Sequence, residues 1–426
     1  MEPNIRIKGF DGDWEERSLG EIFSFQNGFN GGKEVYGSGV PLISVMDVLD
    51  DDFITYDKIR GKAEVSEEEL ERFSVKYGDV LFQRSSENVE DAGTSNVYLD
   101  PDHTAVFGGF VIRGRGIADY DPAFMKYCLS TPLVRAQFMK KAQGAQHVNV
   151  SQEILQDIQI HEPSNREQEK ISELLSCLGQ QISLQQQKVG DLKELKKCML
   201  QKMFPKDGEQ VPEIRFGGFE GQWEQRKLGN CFKFLQNNTL SRAELSTETG
   251  VALNIHYGDV LIRYGEFLDT SSEQMVFIPD QSVVDKYKES HLINGDVIMA
   301  DTAEDETVGK CSEIAGLEGK TAISGLHTIP LRPVEKFAPG FLGYYMNSGA
   351  YHDQLLPLMQ GIKVTSVSKN AIRNTDIFFP ADISEQAAIG QFFIQLDSLI
   401  THHQRRHDTL LEFKAYLLQN MFPKEG

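Results

Sequence analysis

One feature constrains the fold of this chain more than any other: its sequence repeats. Residues 5–25 (IRIKGFDGDWEERSLGEIFSF) match residues 214–234 (IRFGGFEGQWEQRKLGNCFKF) at 12 of 21 positions, and the chain's 2 tryptophans align within that match. A second match joins residues 167–208 to residues 385–426, with 16 identities in 42 positions. Self-similarity at a fixed spacing is typical of a duplicated structural unit. The sequence therefore predicts a domain followed by a helix, used twice.

Between these constant ends the two copies diverge. YGDVLF (77–82) parallels NGDVIM (294–299), and QGAQHVNVS (143–151) parallels QGIKVTSVS (360–368). Most of the remaining sequence between residues 26 and 120 finds little counterpart in the second copy. Two explanations stay open at this point. Either an old duplication has drifted in its middle, or a shared framework carries two different recognition surfaces.

The segment after each domain is predicted to form one long helix. In residues 164–204, and again in residues 382–423, apolar side chains recur with the alternating four- and three-residue spacing of a coiled-coil seam. Because a duplicated unit tends toward pseudo-two-fold symmetry, we expect the two helices to pack antiparallel. The apolar seam residues are Ile171, Leu175, Leu178, Ile182, Val189, Leu192, Met199 and Met203, then Ile389, Phe393, Leu396, Ile400, Leu410, Leu417 and Met421.

Polar residues recur at matching positions of the two seams, Gln185 with His403 and Lys196 with Lys414. Such residues are either tolerated near a solvated part of a seam or fix its register at a cost in stability, and we favour register. His403 and His407 have an i, i+4 spacing that a metal ion could use. No cysteine or acidic pair accompanies them in the sequence, so no metal site is predicted.

Each repeated domain is predicted to be α+β, a twisted sheet with helices to one side. Asp121 and Pro122 are typical of a helix start, as the N-cap and the first helical residue. Short apolar runs bounded by turn residues indicate strands. The predicted strands are residues 40–45, 78–84, 105–113, 258–264, 295–300 and 327–332.

Polar loops beside the repeated elements are the candidates for recognising DNA bases. In QRSSEN (83–88), Arg84 lies among hydroxyl and amide side chains that suit contacts to guanine, adenine and phosphate. The matching ADTAED (300–305) is acidic and suits cytosine instead, so the two copies would read different bases. For any single residue, an ordinary solvated loop is the alternative. The DNA-contact candidates are Gln26, Asn27, Lys33, Arg84, Ser85, Ser86, Asn88, Gln143, Gln146, His147, Asn149, Gln236, Asn237, Asn238, Arg242, Arg263, Thr302, Gln360, Lys363, Thr365 and Ser366.

The charge balance opposes DNA binding by this chain alone. The net charge is -20, and residues 1–163 carry 28 acidic and 16 basic side chains. Non-specific affinity for DNA comes from neutralised phosphates. We therefore expect weak, salt-sensitive binding, with basic residues clustered locally and partner subunits supplying many phosphate contacts.

Several other classes of protein are disfavoured by the sequence. The 5 cysteines are scattered without a CxxC pair, which argues against a disulfide framework or a zinc ribbon. No secretory signal and no membrane-spanning stretch is apparent, so a reducing cytoplasm is expected. GLEGKT (316–321) lacks the first glycine of a phosphate-binding loop. No DPPY-type tetrapeptide, nuclease motif or catalytic triad is found, so a non-catalytic role is predicted.

Together these features resemble the specificity subunit of type I restriction–modification enzymes, over nearly the whole chain. The resemblance rests on the repeated opening, the GDV segments, and proline followed by EQ at 163–168 and 380–386. It also rests on the two helix ends MLQKMFPK and LLQNMFPK. Each motif alone is weak, whereas the combination is specific.

The resemblance implies target-recognition domains at residues 1–163 and 214–381, spacer helices at 164–204 and 382–423, and a linker at 205–213. Each domain would read half of a bipartite double-stranded DNA sequence. The helices would dock two modification (methyltransferase) subunits, which use S-adenosylmethionine to methylate a flipped-out adenine at N6 in each half-site. Restriction subunits would add translocation and cleavage driven by ATP and Mg. This chain itself would bind no cofactor. The alternative function is a coiled-coil scaffold whose duplicated domains bind proteins.

Overall fold

The structure, a computed structural model, describes residues 1–142, 147–206, 208–361 and 363–424. It separates into two compact units. Unit 1 comprises Met1–Gln186 and Arg405–Gly426, and unit 2 comprises Gln187–Gln404. Each unit therefore combines one repeated domain with part of both long helices, whereas the domain boundaries predicted from the sequence follow the order of the chain.

Unit 1 contains short strands and helices and the start of the first long helix. Its strands are β1 (Glu15–Ser18), β2 (Phe23–Asn27), β3 (Tyr36–Ile43), β4 (Gly61–Ala63), β5 (Ser74–Val75), β6 (Val80–Gln83), β7 (Ser85–Ser86), β8 (Ser95–Val97), β9 (Ala105–Phe107), β10 (Val111–Gly116), β11 (Val148–Asn149) and β12 (Gln159–Glu162). Its helices are α1 (Leu19–Ile22), α2 (Val45–Val48), α3 (Glu67–Phe73), α4 (Pro122–Leu129), α5 (Pro132–Lys141) and α6 (Gln152–Gln156), followed by α7 (Asn165–Lys202), which continues into unit 2.

Unit 2 likewise contains short strands and helices and the start of a long helix. Its strands are β13 (Glu224–Lys227), β14 (Phe232–Phe234), β15 (Ala252–Ile255), β16 (Phe267–Asp269), β17 (Val276–Ile278), β18 (Val297–Ala300), β19 (Thr302–Ala303), β20 (Cys311–Ala315), β21 (Ala322–Ser324), β22 (Thr328–Pro333), β23 (Thr365–Ser366) and β24 (Asp376–Phe379). Its helices are α8 (Leu228–Cys231), α9 (Tyr257–Ile262), α10 (Gln281–Lys286), α11 (Phe341–Asn347), α12 (Gly349–His352) and α13 (Lys369–Ile372), followed by α14 (Ile383–Asn420), which continues into unit 1.

The two units share one sheet plan. In unit 1 an antiparallel sheet has the order β2-β10-β6-β8, and in unit 2 the order β14-β22-β18-β20 is extended by the parallel strand β16. A second sheet pairs β3 with β9 in parallel, as β15 pairs with β21. Each unit also pairs its first strand with its last, β1 with β12 and β13 with β24. The mixed fold with two long helices that was predicted from the sequence is confirmed.

One predicted strand is wrong. Residues 258–264 were expected to form a strand, but Tyr257–Ile262 form α9. The reason lies in what precedes the segment: α9 follows β15, the strand paired in parallel with β21, just as α2 follows β3. The shared residues are Asp-Val-Leu, at 47–49 and 259–261. The tripeptide Gly-Asp-Val therefore stands at the start of a strand in one part of the chain and at the start of a helix in another.

Two further strand predictions are corrected in their limits. Residues 105–113 were expected to form one strand, but a turn at residues 108–110 divides them into β9 and β10. The strand predicted at residues 40–45 ends at Ile43, because Ser44 starts α2 with a capping box closed by Asp47. The helix start predicted at Asp121 and Pro122 is confirmed at α4.

The repeated opening and the EQ motif form the same ion pair in each unit. The Arg6 guanidinium donates two hydrogen bonds of 2.8 Å to the carboxylate of Glu167, near the start of α7. The Arg215 guanidinium donates two of 2.7 Å to the carboxylate of Glu385, near the start of α14. Both carboxylates are buried. This arginine–glutamate clamp holds the first residues of each repeat against the helix that follows its domain.

The aspartate of each GDV segment that starts a strand forms a second contact that both units repeat. Asp79 accepts hydrogen bonds from Arg115 at 3.0 and 2.6 Å, and Asp296 accepts from Arg332 at 2.9 and 2.7 Å. Each aspartate also accepts from the backbone of the turn before it. Because both carboxylates are buried and fully bonded, this motif joins two strands of the sheet rather than presenting a group to solvent.

Aromatic residues close each core around the repeated tryptophan and the MFPK segment. In unit 1, Phe422 packs on Trp14 with ring centroids 5.8 Å apart. In unit 2, Phe204 packs on Trp223 at 6.2 Å and stacks on Phe393 at 5.9 Å. Each repeat therefore packs against the MFPK segment at the end of the helix that follows the other repeat.

The apolar residues predicted for the helix seams are buried or half-buried throughout. In unit 1, Ile171 and Leu175 share one core with Leu417 and Met421. In unit 2, Met203 belongs to one core with Ile389 and Phe393. Within the residues that the structure describes, no helix has the length and apolar character needed to cross a membrane.

Candidate functional site

In unit 1, loops selected from the sequence meet at one end of the β2-β10-β6-β8 sheet. The backbone N–H of Arg84 donates to the carbonyl of Phe110 at 2.9 Å, and the carbonyl of Arg84 accepts from Val150 at 2.9 Å. Beside Arg84, β7 pairs with β11. The backbone N–H of Phe29 donates to the carbonyl of Phe107 at 2.8 Å. Loop 26–33, loop 83–88, turn 108–110 and residues 147–150 therefore form one continuous surface.

Unit 2 repeats this arrangement bond for bond. The backbone N–H of Asp301 donates to the carbonyl of His327 at 3.1 Å, and the carbonyl of Asp301 accepts from Val367 at 2.9 Å. Beside Asp301, β19 pairs with β23. The backbone N–H of Asn238 donates to the carbonyl of Ser324 at 2.8 Å. Asp301 thus occupies the place of Arg84.

Most predicted contact residues of unit 1 lie on this surface with accessible side chains. Arg84 is exposed, and its guanidinium donates to the carbonyl of Gly109 at 3.3 Å. Ser85 is half-buried beside it. Gln143 and Gln146 lie outside the described residues. The other exposed candidates of this unit are Asn27, Lys33, Asn88, His147 and Asn149.

In unit 2 the predicted residues divide between two places. Thr302, Thr365 and Ser366 lie on the β19–β23 pair, and Gln360 forms a β-bridge with Ser366. The exposed or half-buried candidates near these elements or in the loop after β14 are Thr302, Thr365, Ser366, Gln360, Lys363, Gln236 and Asn237.

Arg242 and Arg263 form a separate cluster in unit 2. Both donate to the buried carboxylate of Asp259, at 2.5 and 3.1 Å, next to the start of α9. Their charges are therefore partly neutralised within the unit, although both side chains keep access to solvent. A contact of either arginine with DNA stays a prediction.

Two predicted contacts are corrected because the side chains serve the fold. Asn238 is fully buried, and its amide donates to Asn254 and to the carbonyl of Ser324. It occupies the place that Phe29, also buried, takes in unit 1. Ser86 is buried and accepts a hydrogen bond from the backbone of Asn88.

Gln26 is half-buried, and its amide is engaged within the sheet. It accepts from the Arg113 guanidinium at 2.5 Å and donates to the carbonyl of Arg72 at 3.2 Å. Burial lowers the pKa of Arg113 to about 10. A buried cation needs such acceptors, so the Gln26 amide oxygen is engaged by Arg113, and a contact of Gln26 with DNA stays a prediction.

The two surfaces differ in the chemistry that they offer. Unit 1 presents the donors of Arg84 and Lys33, whereas unit 2 presents the carboxylates of Asp301, Glu304 and Asp305. Donors of this kind suit the acceptor edges of guanine, and carboxylates suit the amino group of cytosine. Within the described ranges, no group of three or more histidine, cysteine, aspartate or glutamate residues could hold a metal ion.

Phe110 and His327, at the tips of the two turns, are absent from the residues predicted from the sequence. Phe110 is 69% exposed, and His327 is exposed with a positive φ of 54°. Phe110 was not selected because residues 105–113 were predicted to form one apolar strand. The spacing of both residues from a glycine, as GGF and GLH, was the available signal.

The family model described as the type I restriction modification DNA specificity domain matches residues 11–194. This range covers the first repeated domain and most of α7.

Two relatives from Methanocaldococcus jannaschii are also similar in sequence. The MjaX specificity subunit of a type I restriction enzyme is 23% identical over 226 residues, covering 51% of this chain and 52% of the relative. The MjaVIII specificity subunit is 23% identical over 311 residues, covering 70% of this chain and 68% of the relative. The chain thus spans about half the length of the first relative.

Solved structures resemble this fold along almost its whole length. The crystal structure of a type I restriction–modification S subunit from M. genitalium gives a TM-score of 0.61 at 14% identity, covering 100% of both chains. A structure concerned with complex assembly and conformational transition of the type I R-M system gives a TM-score of 0.53 at 14% identity. It covers 97% of this chain and 98% of the other.

Proposed function

We propose that this chain is the specificity subunit of a type I restriction–modification complex and reads a bipartite, asymmetric DNA sequence, a proposal supported by its similarity to the family model and to two specificity subunits. Each unit would recognise one half-site through the surface formed by its converging loops. Specificity subunits of this family are generally non-catalytic, and DNA target recognition is their role.

One observation carries the proposal: the same backbone contacts present different side chains in the two units. Arg84 and Asp301 hold equivalent places, with equivalent hydrogen bonds on both sides. Because these contacts are backbone hydrogen bonds, the framework can stay the same while the side chains that it presents change. A retained framework with an exchanged donor and acceptor is what two different half-sites require, since guanine and cytosine present opposite hydrogen-bonding groups.

We propose further that α7 and α14 pair as an antiparallel coiled coil with pseudo-two-fold symmetry, which sets the spacing of the half-sites. Two contacts support the direction. In unit 1 the start of α7 shares a core with the end of α14. In unit 2 Lys196, late in α7, donates to Asp397, early in α14. A 38-residue helix is about 57 Å long at 1.5 Å per residue.

Partner subunits would supply the chemistry and much of the affinity. We propose two methyltransferase subunits that use S-adenosylmethionine for adenine-N6 methylation, and restriction subunits that use ATP and Mg for cleavage. The net charge of -20 supports a division of labour. Phosphate contacts dominate affinity for DNA, so an acidic chain gains from partners that neutralise the backbone.

The same net charge favours the rival function, a scaffold whose duplicated domains bind proteins. Footprinting separates the two. The full chain with its methyltransferase subunit is incubated with DNA that contains randomised sequence, and the protected fragments are sequenced. We expect two short fixed blocks separated by a constant number of unspecified bases. An intact complex that protects no bipartite sequence overturns the proposal and favours the scaffold.

A further inference from the structure

The tips of the β9–β10 and β21–β22 turns occupy equivalent places in the two units. Besides the bonds to Arg84 and Asp301, the residue that opens each turn is held in the same way. The backbone N–H of Gly108 donates to the carbonyl of Ile43 at 2.9 Å, and that of Gly325 donates to Ile255 at 2.8 Å. Phe110 and His327 therefore stand at matched positions, although the backbone of His327 has a positive φ of 54° and that of Phe110 does not.

In unit 1 the turn holds Phe110 in a fixed place at the surface. The Arg84 backbone binds the carbonyl of Phe110, and the Arg84 guanidinium donates to the carbonyl of Gly109 at 3.3 Å. Gly28 passes so close beneath that a β-carbon on it would lie 2.1 Å from the carbonyl oxygen of Gly108. An aromatic ring that is 69% exposed is thus presented beside an arginine, on a backbone with little freedom.

In unit 2 the matched position carries a polar aromatic ring with defined neighbours. Nδ1 of His327 lies 3.3 Å from Oδ1 of Asp301 and 3.4 Å from the hydroxyl of Thr302. Its ring meets that of Tyr257 edge to face at 5.3 Å. The positive φ of 54° is uncommon outside glycine, and the surrounding contacts fix it. The imidazole is therefore oriented while its side chain stays 48% exposed.

We propose that this turn position determines sequence specificity in each half-site, an inference that rests on the proposed function. The Phe110 ring makes an apolar contact with DNA bases, against a thymine methyl group or the face of a base. The His327 imidazole forms a hydrogen bond with a base edge instead. The adjoining Arg84 and Asp301 then read the neighbouring base. Each unit thus reads with a pair of side chains, one on the turn and one after the GDV strand.

The test uses the full chain with its methyltransferase subunit and a duplex library with randomised bases. The variants are Phe110→Ala and His327→Ala, together with the exchanges Phe110→His and His327→Phe. Tyr77→Ala is the matched control, since Tyr77 is an aromatic residue that is 56% exposed at the opposite end of β6. Selected sequences give the preference at every position, and titration at several salt concentrations gives the slope of affinity against salt.

Each Phe110 variant is expected to relax or change preference at one or two bases of a single half-site, by roughly 5- to 100-fold. His327 variants are expected to do the same in the other half-site only. The salt dependence should stay unchanged, because neither contact neutralises a phosphate. Unchanged preferences in all four variants, or equal losses at both half-sites, overturn the inference. A wild-type complex that selects no bipartite sequence instead overturns the proposed function.

Discussion

Helices α4 and α11 occupy equivalent places in the two units, but their first turns are capped in different ways. In unit 1, α4 is capped locally: the carboxylate of Asp121 accepts from the backbone N–H of Phe124 at 2.6 Å. In unit 2 the place of Asp121 is taken by Ala338, whose side chain cannot cap. The equivalence is clear from the preceding contact, since Asp121 and Ala338 each donate a backbone N–H to the glutamine of an EQ motif.

A carboxylate from another strand replaces the missing cap in unit 2. Glu313 on β20 accepts from the backbone N–H groups of Gly340 and Gly343 at 2.8 and 2.9 Å, at the start of α11. Its side chain is buried, and burial raises the pKa of Glu313 to about 7. The framework thus requires an acceptor at this helix start, but not one from a fixed position in the sequence. Contacts that both units repeat without change, such as the arginine–glutamate clamp, are interactions that neither unit has replaced by another.

The largest effect is expected from breaking the clamp. Arg6→Ala or Arg215→Ala leaves a buried carboxylate unpaired, and removing one partner of a buried pair costs about 3–5 kcal/mol. Because the two clamps have the same geometry, each variant should destabilise its own unit by a similar amount. Urea unfolding followed by hydrogen exchange, which resolves the two units, measures both values. A cost below about 1 kcal/mol in either unit would show that the clamp there is dispensable.

The dependence of stability on pH should distinguish the two helix caps. Since its pKa is raised from 4.5 to about 7, Glu313 binds a proton more readily in the folded state than in the unfolded chain. Unit 2 should therefore lose stability as pH rises from about 4.5 to about 7, by up to about 3 kcal/mol. Glu313→Gln should remove this part of the pH dependence. The wild type and the variant are compared across that range, and identical pH profiles would contradict the assignment.

The matched lysines of the helix seams, Lys196 and Lys414, should contribute different amounts to the free energy of unfolding. Lys196 donates to Glu266 at 2.8 Å and to Asp397 at 2.9 Å. At the position that matches Asp397 the first helix has Gly179, so Lys414 lacks that partner and shares with Lys196 only the position over a tyrosine ring, Tyr127 at 5.7 Å as against Tyr344 at 5.4 Å. Burial lowers the pKa of Lys414. Lys196→Met should cost about 2 kcal/mol, because hydrogen bonds to charged groups are lost.

Lys414→Met serves as the control for that comparison. Replacing a desolvated cation by an apolar side chain of similar length is often neutral or stabilising. Unfolding midpoints of the two variants, measured at one pH, give the difference directly. Equal costs would mean that both lysines fix the register of the seam, which is the role predicted from the sequence for both.

Arg84→Ala tests the comparison at the recognition surfaces. Loss of its guanidinium should weaken binding at one half-site by about 1–3 kcal/mol, the usual worth of a bidentate contact to guanine. Assembly with the methyltransferase subunit should be unaffected, because the side chain is exposed. Competition binding with DNA altered in one half-site at a time measures the effect. If assembly is lost in parallel with binding, Arg84 has a structural role.

The smallest effect is expected at the local cap. Asp121→Ala should cost about 1 kcal/mol, as for other helix N-caps. Asp121→Asn is the matched control, since asparagine caps nearly as well. Thermal unfolding of the full chain with each variant gives the two values. A loss with Asn as large as that with Ala would mean that charge, rather than the hydrogen bond to Phe124, holds the start of α4.

Much of the fold could be predicted because its signals are local. The spacing of apolar residues along α7 and α14, and the Asp-Pro start of α4, depend on neighbours in sequence. The candidate surface was harder to predict. The loops around Arg84 and Asp301 were found, because they follow a repeated strand. Asn238 was misjudged, because its burial is set by Asn254 and Ser324, which are distant along the chain.

The duplicated domain, the two long helices and the resemblance to a known family could all be read from the sequence. Long-range packing sets the rest: GDV stands just before the strand that begins at Val80 but lies in a helix at Asp259, which follows β15 and its parallel partner β21. It also decided that Glu313 caps a helix distant in sequence, and that Phe110 and His327 share one position. In each case the deciding contact joins residues far apart along the chain, and no local pattern records such a contact.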